Sequence, residues 1–165
     1  SLFIIIAVIS SLFFFDDMGD WAELFSWNQR EIIVYGVIPG LIIVGVDLIL
    51  TKILPESAFD DGGINERIFK NQSIPYIFLI TLFIAFSEEV LFRGVVQTVF
   101  GYLFASILFA VIHIRYLKKP VLFISVLVVS LVIGYIFLLT ENLFVTITLH
   151  FIIDFLLGLY IRFKK

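Results

Sequence analysis

Residues 74–114 read IPYIFLITLFIAFSEEVLFRGVVQTVFGYLFASILFAVIHI, an apolar run broken chiefly by Ser87-Glu88-Glu89 and Arg93-Gly94. A helix crosses ~30 Å of hydrocarbon with about 20 mostly apolar residues, so the run holds two helices, and where they divide decides the architecture. Division at Arg93-Gly94 puts the carboxylates at a membrane surface. Division near Gly101 gives a long helix from Ile74 to Phe100 and a shorter one from Tyr102 to Tyr116. We prefer the second, because Glu88 and His113 then lie 13 and 12 residues from Gly101, at similar depth on adjacent antiparallel helices.

The rest of the chain reads the same way. It is 61% hydrophobic and 15% charged, with a mean hydropathy of +1.13, whereas a soluble domain is about 45–50% apolar and about 25% charged. Four more apolar segments, 2–15, 32–54, 121–139 and 143–161, join 74–100 and 102–116 to make about six spans. The expected fold is an all-α, polytopic transmembrane helical bundle forming a single membrane-embedded domain over 1–165. The first segment is short and starts without Met, which reads as a trimmed or processed N-terminus; it lacks the basic flank and small-residue cleavage site of a signal peptide. Gly36 and Gly40 form a GxxxG pair suited to close helix approach, Pro39 is expected to bend its helix, and Thr140-Glu141-Asn142 is a tight polar turn. With no Cys, and 11 Lys and Arg against 14 Asp and Glu, neither a disulfide scaffold nor a nucleic-acid-binding domain is indicated.

The basic residues set an orientation. Lys52, Arg67, Lys70, Arg115, Lys118, Lys119, Arg162, Lys164 and Lys165 fall on one side of a six-span chain, and Arg30 alone on the other. The positive-inside rule then puts both termini in the cytoplasm of a multi-pass cell-membrane protein. The acidic 16–31 loop faces outward, where Trp21 and Trp27 suit the interfacial aromatic belt. Asp60-Asp61-Gly62-Gly63 lies at the centre of the one long polar cytoplasmic loop, 51–73.

An ionisable residue within the bilayer costs on the order of 3 kcal/mol even on lenient scales. Asp47, Glu88, Glu89, Arg93, His113, His150 and Asp154 fall inside the spans, and the chain has only 2 histidines. Glu89 and Arg93 are spaced i, i+4 and can neutralise each other on one helix face. Glu88 stands about 100° away, free to point into a cavity as a general base. His150 and Asp154 repeat the i, i+4 spacing, so the carboxylate can orient the imidazole or share its task. Phe109 sits one turn before His113 and can pack beside it. Asp47, near the end of its span, reads as reaching the interface.

At these residues the chain resembles the CPBP family (CAAX protease and bacteriocin-processing, or Abi) of intramembrane proteases, which includes the type II prenyl-protein endopeptidases. The family pattern EExxxR, FxxxH and HxxxN or HxxxD is matched by Glu88-Glu89-Val90-Leu91-Phe92-Arg93, Phe109-Ala110-Val111-Ile112-His113 and His150-Phe151-Ile152-Ile153-Asp154, with Gly94 following the first motif. The resemblance implies a catalytic core at about 74–161 and peptide-bond hydrolysis within the membrane, with Glu88 and His113 activating water, His150 and the residue at 154 stabilising the oxyanion, and Glu89 and Arg93 holding the site in shape. Where the prenyl-endopeptidase branch commonly has Asn, this chain has Asp154. An ionised Asp cannot donate to an oxyanion, so Asp154 is either protonated or serves only to orient His150. Glu88, His113 and His150 suit a His-His-Glu zinc site and equally a metal-free glutamate mechanism, and both stand at this level; HExxH is absent.

The implied substrate is a peptide signal, bacteriocin leader or membrane-protein segment. Small size and Ile/Phe-rich composition point to a bacterial source, where a prenylated CAAX box is a poorer fit. A second reading is a non-catalytic membrane regulator or bacteriocin-immunity protein that binds a partner such as a sensor kinase. A small transporter ranks below both, because the chain shows no internal repeat.

Overall fold

The computed structural model describes residues 2–15 and 18–164. Asp16 and Asp17 of the acidic loop and Lys165 of the basic C-terminus lie outside the described residues. The described elements are helical: α1 (Leu2–Phe14), α2 (Met18–Glu23), α3 (Gln29–Ile53), α4 (Ile64–Phe69), α5 (Ile74–Phe100), α6 (Tyr102–Ile112), α7 (Pro120–Thr140) and α8 (Leu143–Phe163). Helices α3, α5, α7 and α8 are each long and apolar enough to cross a membrane; α1 and α6 are shorter apolar helices. The protein is an all-α membrane bundle.

Local chemistry accounts for the boundaries. Ser73 caps α5 by accepting from Tyr76 N at 3.3 Å, with Pro75 in the first turn, where its missing N–H costs nothing. The long apolar run breaks at Gly101, whose φ of +88° is open to glycine and strained for other residues. Helix α6 is shorter than the 102–116 span expected from hydropathy. It ends at Ile112, and Ile114–Tyr116 form a 3-10 turn instead. Glu141 at φ 47° closes α7, and Asn142 opens α8 by accepting from Phe144 N at 3.0 Å. Just before Pro39, Ile32–Val37 form a π-helical stretch, a place where the usual i→i−4 ladder is loosened.

Helix α8 packs against α3, α4, α5 and α7. It approaches α3 closely where the GxxxG pair lies: a Cβ on Gly36 would stand 3.0 Å from the Val145 carbonyl oxygen, and one on Gly40 would stand 3.1 Å from Ile152. Gly158 gives the same close contact with Ile77 of α5 and Phe69 of α4. On the far side, α7 is fastened to α5 and α6 by polar side chains. Gln97 Nε2 donates to the Gly134 carbonyl at 2.7 Å and the Tyr102 hydroxyl to the Leu131 carbonyl at 3.0 Å.

Each end of the bundle is closed by its loops. At one end, Leu143 N donates to the Leu24 carbonyl at 2.7 Å and Asn142 Nδ2 to the Ser26 carbonyl at 2.6 Å. The Trp21 ring lies against Phe15, with centroids 5.0 Å apart, and 3.0 Å from where a Cβ on Gly94 would be, while Trp27 is 76% exposed. At the other end, Asp60-Asp61-Gly62-Gly63 is a helix start: Asp61 accepts from Ile64 N and Asn65 N at 3.1 and 2.8 Å. The same segment is tied by Asp60 to Lys119 at 3.1 Å and by Glu56 to Lys164 at 2.9 Å. The Gly62 N–H and the Lys119 ammonium hold the Asp60 carboxyl below its usual range, and Lys164 does the same for Glu56.

Gly134 tests the packing of α7. A Cβ there would meet Ser106 Oγ and Tyr102 Cδ2 at 2.9 Å and Gln97 Oε1 at 3.0 Å, so Gly134→Ala is expected to destabilise the bundle by about 1–3 kcal/mol. Gly45 faces open space, and Gly45→Ala is expected to be neutral or to stabilise by up to about 1 kcal/mol. Unfolding of both variants in detergent micelles measures the contrast.

Candidate functional site

Midway along α5, the sequence Ser87-Glu88-Glu89 gives way to a π-helical stretch, Val90–Gln97. In such a stretch the i→i−4 ladder loosens to i→i−5 bonds, a departure frequent at functional sites. Glu89 and Arg93 straddle its start, and both side chains are 0% exposed. Arg93 Nε faces Glu89 Oε2 at 3.4 Å. Arg93 Nη2 donates to the Ser130 carbonyl at 3.0 Å and to Ser130 Oγ at 3.1 Å. The guanidinium also lies over the Phe109 ring, 5.0 Å from its centroid. A charge this deep is held only when paired and hydrogen-bonded, and here α5 supplies the anion, α7 the acceptors and α6 the aromatic face.

The second oxygen of Glu89 reaches across to α8, where His150 Nδ1 lies 2.8 Å from Glu89 Oε1. A carboxylate accepts, so Nδ1 carries the proton and Nε2 is the nitrogen turned toward the remaining acids. Asp154 Oδ2 lies 3.5 Å from Nε2, and Glu88 Oε2 lies 3.8 Å from it. The Glu88 side chain is 13% exposed and that of Asp154 30% exposed, against none of Glu89. Glu88 and Asp154 thus form the accessible edge of the cluster and Glu89 its buried base. His113 joins from the C-terminal end of α6. Its Nδ1 lies 2.7 Å from the Phe109 carbonyl, one of the orphan acceptors at a helix end. Its ring packs on Phe109, with centroids 4.8 Å apart, and Phe109 also neighbours His150 at 6.0 Å.

Of the six ionisable residues in the three motifs, Glu88, Glu89, Arg93, His150 and Asp154 are in direct polar contact, and His113 is linked to them through Phe109. The i, i+4 spacing pairs His150 with Asp154, and that contact is present. The tighter bond to Nδ1 comes from Glu89 on another helix, a partner no spacing along one helix can reveal. Ser130, which holds Arg93, is one of two serines in a span whose other residues are apolar, and nothing in the sequence sets it apart from Ser125. Among the described residues no hydrogen bond or ion pair joins Asp47 to the cluster.

Zinc ligands must lie ~2 Å from a shared ion. Among the described residues no group of three His, Asp or Glu side chains is arranged to hold a metal ion. Glu88, His113 and His150 as placed do not form the three-ligand site, and the chemistry below is derived from the side chains alone.

An α-helical membrane protein with buried acids and imidazoles shared among three spans is the class that fold and site define. A family model described as type II CAAX prenyl endopeptidase Rce1-like matches residues 70–156, which include all three motifs. The chain is 46% identical over 163 residues, 99% of its length and 86% of the relative's, to the "Uncharacterized protein YpbD" of Bacillus subtilis (strain 168). No solved structure matches. The chain therefore belongs to the Rce1-like family of membrane proteases.

The buried pair generates a stability prediction. Arg93→Met leaves Glu89 as an uncompensated buried charge and is expected to cost about 3–5 kcal/mol. Adding Glu89→Gln removes that charge while keeping an oxygen for His150 Nδ1, so the double variant is expected to recover part of the loss. A double-mutant cycle on unfolding in micelles, with a coupling above about 0.5 kcal/mol, is the expected result.

Proposed function

We propose that the protein is an intramembrane endopeptidase that hydrolyses a peptide bond in a peptide or membrane-protein substrate, using a glutamate-activated water. The observation that carries this reading is the division of labour between neighbouring glutamates. Glu89 is locked between Arg93 and His150, while Glu88 is partly exposed and 3.8 Å from the imidazole. Two acids one residue apart thereby have different tasks, and only Glu88 is free to move a proton.

Glu88, with His113, takes a proton from water as the water oxygen bonds to the scissile carbonyl carbon. The carbonyl π electrons move to its oxygen. His150, oriented through Nδ1, presents Nε2 to that oxyanion and donates to it in the imidazolium form; Asp154 stands 3.5 Å from the same nitrogen. This gives Asp154 the task of orienting His150 instead of donating itself. The tetrahedral species collapses by breaking the C–N bond, the proton held by Glu88 passes to the leaving amine, and the products are a carboxylate and an amine. Positioned general-base catalysis contributes about 10²–10⁴-fold, and one oxyanion donor about 10²–10³-fold. In the cell membrane both termini are cytoplasmic. The pairs Asp60–Lys119 and Glu56–Lys164, which gather three basic segments at one end, support this orientation.

Membranes from cells making the wild-type protein, Glu88→Gln or His113→Ala, each checked for normal insertion, are compared by mass spectrometry of peptide termini. New termini in the wild type, reduced at least about 100-fold in both variants, are expected; termini that persist in both sink the protease reading. Because the chain has no Cys, orientation is testable without background. A membrane-impermeant maleimide is expected to label Arg30→Cys in intact cells and Lys118→Cys only after lysis.

A further inference from the structure

The turn that follows α6 carries a residue outside all three motifs. Tyr116 stacks on the His113 imidazole, with ring centroids 5.8 Å apart and planes inclined by 20°. The backbone brings this about. Tyr116 N donates to the His113 carbonyl at 2.8 Å in a 3-10 turn, and in that geometry side chains three apart eclipse. Tyr116 is only 9% exposed, while Ile114 and Leu117 on either side are 72% and 48% exposed. A single aromatic is thus turned inward from an otherwise outward-facing turn, onto an imidazole.

His113 is therefore held at three points. The Phe109 carbonyl can only accept, so Nδ1 carries a proton and Nε2 is the edge left for chemistry. The Phe109 and Tyr116 rings both flank the imidazole. A half-turn of the ring would put a C–H against the carbonyl and lose that bond, and the two flanking rings oppose the tilt that such a turn passes through.

We propose that Tyr116 is a positioning residue for His113: its stacked ring keeps Nε2 directed at the water that Glu88 activates. The proposal rests on the reading of His113 as one of the water-activating pair.

The chain has 2 histidines, so a protein labelled with ¹⁵N in its imidazoles gives two ring systems, and His150→Gln assigns them by elimination. In the purified full chain in micelles, wild type and Tyr116→Phe are expected to show His113 protonated at Nδ1 alone or at both nitrogens. Tyr116→Leu is expected to add the Nε2-protonated tautomer. On the peptide bond mapped by terminus analysis, Tyr116→Leu is expected to lower kcat about tenfold with KM little changed, as a misplaced catalytic group would, and Tyr116→Phe to stay within about twofold. Tyr116→Met, which fills the space without a flat ring, is expected to behave as Leu and guards against a folding defect in that variant. A folded Leu or Met variant with the wild-type tautomer pattern and wild-type kcat overturns the proposal. Full cleavage by His113→Ala would instead overturn the reading of His113, and the tautomer pattern of the Tyr116 variants separates the two failures.

Discussion

The structure turns on one demand: a guanidinium inside hydrocarbon must be neutralised and hydrogen-bonded by the protein around it, because no water is there to do so. Arg93 meets that demand with three helices. Glu89 from its own helix supplies the charge, Ser130 of α7 the acceptors, and Phe109 of α6 the ring face. Removing any of these helices leaves a buried charge short of partners, so the position of each is tied to the others through a single side chain. Glu89 then extends the arrangement to α8 through His150. What neutralises the arginine is also what aims the imidazole, so folding and preparation of the site are one event.

Much of this was readable from scarcity. In so apolar a chain each acid, base and histidine stands out, and the three short patterns at Glu88, Phe109 and His150 located the cluster before any coordinates. The division of the long run at Gly101 was also legible, because glycine can take a φ of +88° and placing Glu88 level with His113 required the break there. What spacing within a helix cannot show is a bond between helices. Glu89 to His150, Arg93 to Ser130 and Gln97 to the Gly134 carbonyl all join residues far apart in sequence. The packing of Trp21 over Gly94 was hidden for a related reason, since it too joins residues far apart in sequence. The end of α6 was missed because the hydropathy of Ile114 and Tyr116 carries on past the helix that His113 terminates.

Small and large side chains are used in complementary ways around this cluster. Gly36 and Gly40 bring α3 against α8, Gly158 brings α8 against α5 and α4, and Gly134 brings α7 against α5 and α6. Phe92, Phe109 and Phe137 fill the space between. Without a hydrophobic driving force between helices in lipid, such close packing together with interhelical hydrogen bonds holds a bundle together. The polar fastening of α7 to α5 and α6 is what keeps the Ser130 carbonyl at the arginine.

The brevity of α6 has a consequence for the lipid. Eleven residues make a helix of about 16 Å, roughly half of the ~30 Å hydrocarbon slab. A helix this short falls short of the slab, a mismatch that a bilayer accommodates by thinning, by snorkelling of flanking residues or by helix association. The His113–Tyr116 turn ends α6 beside the cluster. The acids midway along α5 therefore have a helix end for a neighbour, where backbone acceptors such as the Phe109 carbonyl are open to side chains, and not a continuous helix wall.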